Sequence, residues 1–238
     1  MADTLQRLRE EIVACRQCPR LVGYRERVAH EKKKQFKSDT YWGRPVPGFG
    51  DPDARLVLIG LAPAAHGSNR TGRVFTGDRS AEFLVGALHA AGFASQPHST
   101  HRGDGLRYQD AYLTAAVRCV PPDNRPTPAE KNACLPYLAR ELRLLPRARS
   151  ILALGGFAWD ALLDSVPLLY ALPRPEADFA HGRCVPLGPG HPMLWGSYHP
   201  SPQNTNTGKL TRRMFVDLLD HIRASWSTDA SGPARRQG

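Results

Sequence analysis

Cys15 and Cys18, with two residues between them, are matched far along the chain by Cys119 and Cys134, with fourteen residues between them. Neither pair alone closes a metal site. Four thiolates do, and zinc and iron–sulfur clusters both accept such a set. The site would clamp the N-terminus onto a remote segment. Structural zinc sites usually pair two short-spaced knuckles, whereas a cubic cluster tolerates ligands arriving from separate elements. The wide second spacing and the Cys18-Pro19 dipeptide favour [4Fe–4S], with zinc as the alternative. A two-residue spacing argues against ordinary buried cysteines. Cys184, which precedes Val-Pro-Leu, reads as a buried strand residue instead.

Two further stretches have unusual composition. The first is Gly60-Leu-Ala-Pro-Ala-Ala-His-Gly-Ser-Asn-Arg-Thr-Gly-Arg-Val-Phe-Thr-Gly-Asp78; the second is His199-Pro-Ser-Pro-Gln-Asn-Thr-Asn-Thr-Gly-Lys-Leu-Thr211. Each alone is a weak, Gly/Pro/Ser-rich turn signal. Their meaning depends on where the fold puts them.

The elements around them follow from pattern. A first helix from about Asp3 to Cys15 delivers the first ligand pair and is halted at Cys18-Pro19, and residues 23–53 read as irregular connecting structure. Leu56–Ile59, Ala111–Val117, Ile151–Leu154 and Leu194–Tyr198 are short apolar runs, as in strands buried on both faces. Helices are expected over Ser80–Ala91, from Thr127 to about Leu145, over Phe157–Leu163 and over Thr211–Ala224. Thr127-Pro-Ala-Glu130 is a capping box. The alternation of strand and helix predicts an α/β fold with a parallel sheet covered on both faces. Both unusual stretches begin at a strand's carboxyl end, where such sheets bind ligands. They should face one another. Residues 1–224 are expected to form a single domain with an N-terminal cluster-binding segment, and 225–238 a disordered tail.

The 238 residues carry a formal charge of +10, which suits a polyanionic partner, with arginine's planar fork matched to phosphate. GC-rich coding could also inflate arginine. No apolar run is long enough to span a bilayer, and the charged N-terminus lacks a secretory signal, so a cytoplasmic protein working as a monomer is expected. Lys32–Lys34 reads as a solvated face.

Taken together, the two stretches and the framing cysteines resemble the uracil-DNA glycosylase superfamily, and within it the iron–sulfur family 5 (type B) enzymes. The resemblance covers about residues 12–222. It implies a three-layer α/β/α sandwich around a four-stranded parallel sheet and a [4Fe–4S] cluster on Cys15, Cys18, Cys119 and Cys134. It also implies hydrolysis of the N-glycosidic bond of uracil, and of other deaminated bases such as hypoxanthine, in double-stranded DNA. The nucleotide must be turned out of the stack into a pocket. By carry-over, Phe75 stacks on the base, though it could equally plug the core, and His199 hydrogen-bonds the uracil carbonyl. Gly60, Ala62 and Ser201 shape the approach of base and backbone. Sister families carry an acid or amide beside the first stretch's proline; here Leu61 and Ala62 stand there and cannot polarise water. The polar role then falls to Asp78, which otherwise reads as a helix N-cap, or to Asn124, which otherwise reads as a turn asparagine. Arg70, Arg73, Gln203, Asn204 and Lys209 are the expected DNA contacts, with Gln203 and Asn204 at the tip that enters the duplex. An iron–sulfur protein that binds damaged DNA without cutting it is the alternative from another class.

Overall fold

The structure is a computed structural model that describes residues 3–228. Its centre is a run of four parallel strands, β2 (Leu56–Gly60), β3 (Ala111–Ala115), β4 (Ser150–Leu154) and β6 (Met193–Ser197). The two-residue strands β1 (Phe49–Gly50) and β5 (Cys184–Val185) pair antiparallel at the edges, giving the order β1-β3-β2-β4-β6-β5. The four expected strands are present; the two edge strands are additional. Cys184 does lie in a strand, but an edge strand leaves it only partly buried.

Each central strand is apolar on both faces, so alternate residues serve opposite layers. Leu56, Leu58, Leu113, Leu152 and Trp195 pack with helices α4 (Arg79–Ala90) and α8 (Arg212–Thr228). Val57, Ile59, Tyr112, Ile151 and Leu194 pack with α5 (Pro128–Arg143) and α6 (Gly156–Tyr170). The result is the three-layer α/β/α sandwich. α5 begins with the full capping box, Thr127 accepting from Glu130 N–H and the Glu130 carboxylate accepting from Thr127 N–H, which fixes the start of the helix that carries Cys134.

Three boundaries differ from the sequence expectation, and at one of them α6 runs seven residues beyond the expected Leu163, to Tyr170. α1 (Leu5–Ala14) ends before Cys15, but Pro19 does not end helical structure. It opens α2 (Pro19–Glu31), where an irregular stretch was expected. Proline is accommodated at a first helical position, because that N–H has no intrahelical acceptor. Leu21, Val22, Arg25 and Val28 face inward at helical spacing. At the other end, α8 continues four residues beyond Ala224, and Trp226 is buried against Phe93. The first four residues of the expected tail, 225–228, are therefore helical, and the rest, 229–238, lie outside the described residues. No helix among those described is long and apolar enough to cross a membrane.

From the central β2 the chain goes first to β3 on one side and then to β4 on the other. The carboxyl ends of β2 and β4 therefore flank a topological switch point, where open α/β sheets hold their ligands.

Candidate active site and cysteine centre

Three strand ends meet at this point. β2 ends in Gly60, and the ring of Phe75 returns over it so closely that a Cβ there would lie 2.6 Å from Phe75 Cζ. Phe75 holds a left-handed backbone (φ 45°), an unfavourable conformation for an aromatic residue that the surrounding loop enforces. Its ring centroid is 6.5 Å from that of His199, which follows β6. After β4, Gly155 (φ 94°) passes beneath His199, and a Cβ there would come within 3.2 Å of the histidine's Cβ. The motif reading did not single out Gly155; the Gly155-Gly156 pair following a buried strand was its only signal.

His199 has no side-chain hydrogen-bond partner among the described residues. Burial lowers its pKa to about 4, so at neutral pH the imidazole is uncharged and carries one N–H to donate. Its carbonyl accepts from Asn204 Nδ2 at 2.8 Å. Asn204 thus holds the loop together and does not project from it. The stretch expected as a bare tip contains the short helix α7 (Pro202–Asn206), with Ser201 at its N-cap position making no side-chain cap bond. Gln203 is exposed on this helix, and the exposed Lys209 places its ammonium 4.8 Å from the Tyr198 ring centroid.

Asp78 is indeed the N-cap of α4: Oδ1 accepts from Ala81 N–H at 2.9 Å. The Ser80 N–H also acts on the carboxylate. The second oxygen, Oδ2, occupies the space that a side chain at Gly67 would fill, 1.9 Å from a Cβ built there. Burial raises the carboxyl's pKa, with the cap bonds from Ala81 and Ser80 and the charge of Arg70 acting against it. Asn124 stands apart, in the turn Pro122–Asn124 that leaves β3. Asp123 and Asn124 both have left-handed backbones (φ 54° and 56°), and the Asn124 side chain is exposed, without a partner among the described residues. The structure therefore joins Gly60, Phe75 and His199, keeps Asp78 in the same loop as Phe75, and leaves Asn124 on a neighbouring loop.

The arginines of the first loop correct the sequence reading. Arg73 is buried: it makes a two-pronged contact with Asp104 at 2.7 and 2.9 Å and bonds Thr76 and Ser99. The Arg70 guanidinium bonds His66 O, Asp39 and Gly77 O and lies 4.0 Å from the Phe36 ring centroid. Both shape the loop, and neither offers a free fork to phosphate. Exposed charge that the motif reading did not single out comes from Arg102 and Arg44, whose guanidinium groups lie 4.1 and 5.6 Å from the ring centroid of the partly buried Trp42. Trp42 N–H bonds Arg70 O, tying this surface to the loop.

The four cysteines line one cavity, together with Ile12, Leu21, Arg25, Arg118 and Tyr137. None forms a disulfide. Among the described residues, no three His, Cys, Asp or Glu side chains close to the spacing of a single bound ion. Burial pushes the Cys119 thiol up to about 12 and raises Cys18 and Cys134 as well, so neutral thiols are favoured unless a metal takes the protons' place. Two buried donors on this cavity, Nε of Arg25 and Nε of Arg118, have no acceptor among the described residues. Arg118 is otherwise paired with Glu141 at 2.7 Å, so Arg25 is the cation whose placement beside four sulfurs suits an anionic metal–thiolate group. Ala62 packs against this cluster of cysteines, so the centre adjoins the first loop.

A family model described as the uracil DNA glycosylase superfamily matches residues 47–223. The chain belongs to that superfamily. A Type-5 uracil-DNA glycosylase of Thermus thermophilus is 53% identical over 210 residues, spanning 88% of this chain and 93% of that protein. Proteins of the same description from Mycobacterium bovis (50% identical, 92% of this chain and 80% of that one) and Pyrobaculum aerophilum (45%, 87% of each) are also similar.

Proposed function

We propose that this chain is a monofunctional uracil-DNA glycosylase, which takes uracil and other deaminated bases such as hypoxanthine from duplex DNA by hydrolysing the N-glycosidic bond. The observation that carries the reading is the Phe75–His199 arrangement: an aromatic face and an unpartnered neutral imidazole, set 6.5 Å apart at the switch point. The extruded base stacks on Phe75, and His199 donates to the carbonyl oxygen on which negative charge grows as the bond breaks. A preset donor of this kind contributes about 3–4 kcal/mol to the transition state. Being neutral, His199 offers its N–H without bringing a charge of its own into the buried pocket.

The sugar becomes cationic as the base leaves, and water must be aimed at it. Asp78 supplies the carboxylate. Its cap bonds fix the orientation, and Oδ2 would be the oxygen that holds the water. Asn124, exposed and conformationally strained, is the second polar group and can share the water or read the base. Gly60 and Ala62 give the base a close, apolar edge that accepts more than one deaminated ring. Ser201 and Lys209 meet phosphate, and Gln203 enters the duplex as a monomeric enzyme closes on the lesion. Single-turnover cleavage of duplexes carrying uracil, hypoxanthine or thymine tests this: the first two should be converted and thymine left intact. Binding without conversion of any of them would favour the non-catalytic damage-binding alternative.

Cys15, Cys18, Cys119 and Cys134 would hold a [4Fe–4S] cluster. Their shared cavity and the arginine Nε donors without acceptors support an anionic metal–thiolate group there, and the wide Cys119–Cys134 spacing favours a multi-iron cluster over one zinc. When bound, the cluster would pin the N-terminal helices to the segment after β3 and to α5, much as other structural metal–thiolate centres do. Freshly purified protein should be brown and carry about four iron atoms per chain. Cys15→Ala or Cys134→Ala should lose colour and solubility together. Stoichiometric zinc without iron would remove the cluster assignment.

A further inference from the structure

Arg25 is almost completely buried, at 2% exposure, yet it lacks a close carboxylate. The nearest acid, Glu26, is 3.9 Å away, exposed, and already held by Arg16 at 2.6 Å. What Arg25 does touch is the cysteine centre. Nη1 donates to Cys119 Sγ at 2.9 Å, Nη1 and Nη2 share the Cys15 carbonyl at 3.3 Å, and Nε faces no acceptor. A buried guanidinium whose one charged partner is a distant, exposed and already paired carboxylate is unfavourable, because its desolvation is poorly offset. With no metal between the sulfurs, Arg25 would be such a group. With four thiolates on a metal, it would sit beside excess negative charge and donate a charge-assisted bond to one of the sulfurs.

We propose that Arg25 is the built-in counter-charge of the cysteine centre: a buried cation that stabilises the chain only while the four sulfurs are metal-bound thiolates. The proposal rests on the reading of these cysteines as a cluster site. It gives Arg25 a role that differs in sign between the loaded and the stripped protein. In the loaded state it strengthens sulfur–metal binding through its donor to Cys119 and restrains Cys15 through the carbonyl. In the stripped state it is a poorly compensated charge that loosens the N-terminal helices. Loss of metal and loss of the α1–α2 clamp are thereby coupled through one side chain.

The test compares wild type, Arg25→Met and Arg25→Lys as full chains. Two quantities are read: iron retained during challenge with a chelator, and thermal midpoint before and after complete stripping. Loaded Arg25→Met should lose iron about tenfold or more faster than wild type, in the range found for outer-sphere partners of metal ligands. Stripped Arg25→Met should melt at or above stripped wild type, because the poorly compensated charge is gone. Arg25→Lys keeps the charge and should retain iron within a few-fold of wild type. Unchanged iron retention in Arg25→Met would overturn the proposal. So would an equal fall in midpoint for both its loaded and stripped forms, since that marks a packing residue. Failure of both variants to accumulate, or a Lys variant no better than Met, would overturn it equally. Wild type that holds neither iron nor sulfide would instead remove the cluster reading on which the proposal stands.

Discussion

Asp78→Asn should slow single-turnover release of uracil by about 10²–10⁴-fold, the usual contribution of a positioned general base, while leaving the thermal midpoint nearly unchanged. The two halves of that expectation come from the two oxygens. Oδ1 receives Ala81 N–H and caps α4. Asparagine caps about as well as aspartate, so the helix start survives the exchange. Oδ2, set over Gly67, is the atom that would hold the water, and an amide nitrogen there cannot accept its proton. Asp78→Ala should lose both rate and about 1 kcal/mol of stability, because the cap goes too. A midpoint measured with each rate separates the cases. Near-full activity in Asp78→Asn would make the residue a cap alone and pass the water to Asn124.

His199→Ala should lower the same rate by roughly two orders of magnitude, the value of one preset donor to developing charge. Affinity for a duplex carrying an abasic product should change much less, because that product has no uracil carbonyl. The pH dependence carries a second signature. The unfolded imidazole takes a proton near its ordinary pKa of 6.5, whereas burial holds the folded one unprotonated down to about 4. Between those values the unfolded chain binds more protons, so His199's contribution makes stability fall as pH drops from 6.5 towards 4. His199→Ala should flatten that part of the stability profile. Rate and affinity falling together would mark His199 as a structural residue.

The central strands and both site loops were legible because their signals are local: continuous apolar runs for buried strands, and Gly/Pro-rich segments at their ends. Where partners are remote, the sequence misled. Arg70 and Arg73 look like phosphate forks, but each has an aspartate thirty-one residues away in sequence that the fold brings into contact. Asn204 looked like a tip residue because the sequence does not reveal that it turns back to the His199 carbonyl. α2 was hidden by reading Pro19 as a stop when it is a helix start. The edge strands β1 and β5, two residues each, are too short for any alternation to register. At Asp78 the sequence offers a cap or a catalyst as alternatives. The positions of the two carboxylate oxygens allow both.

The most direct measurement is detection of the free base. Wild-type protein in excess over a uracil-containing duplex should release free uracil and leave an intact strand with an alkali-labile abasic site. The combined Asp78→Asn, His199→Ala variant, still folded, should release essentially none over the same interval. Tight binding of the duplex by wild type without any free uracil, or unabated release by the combined variant, would contradict the account.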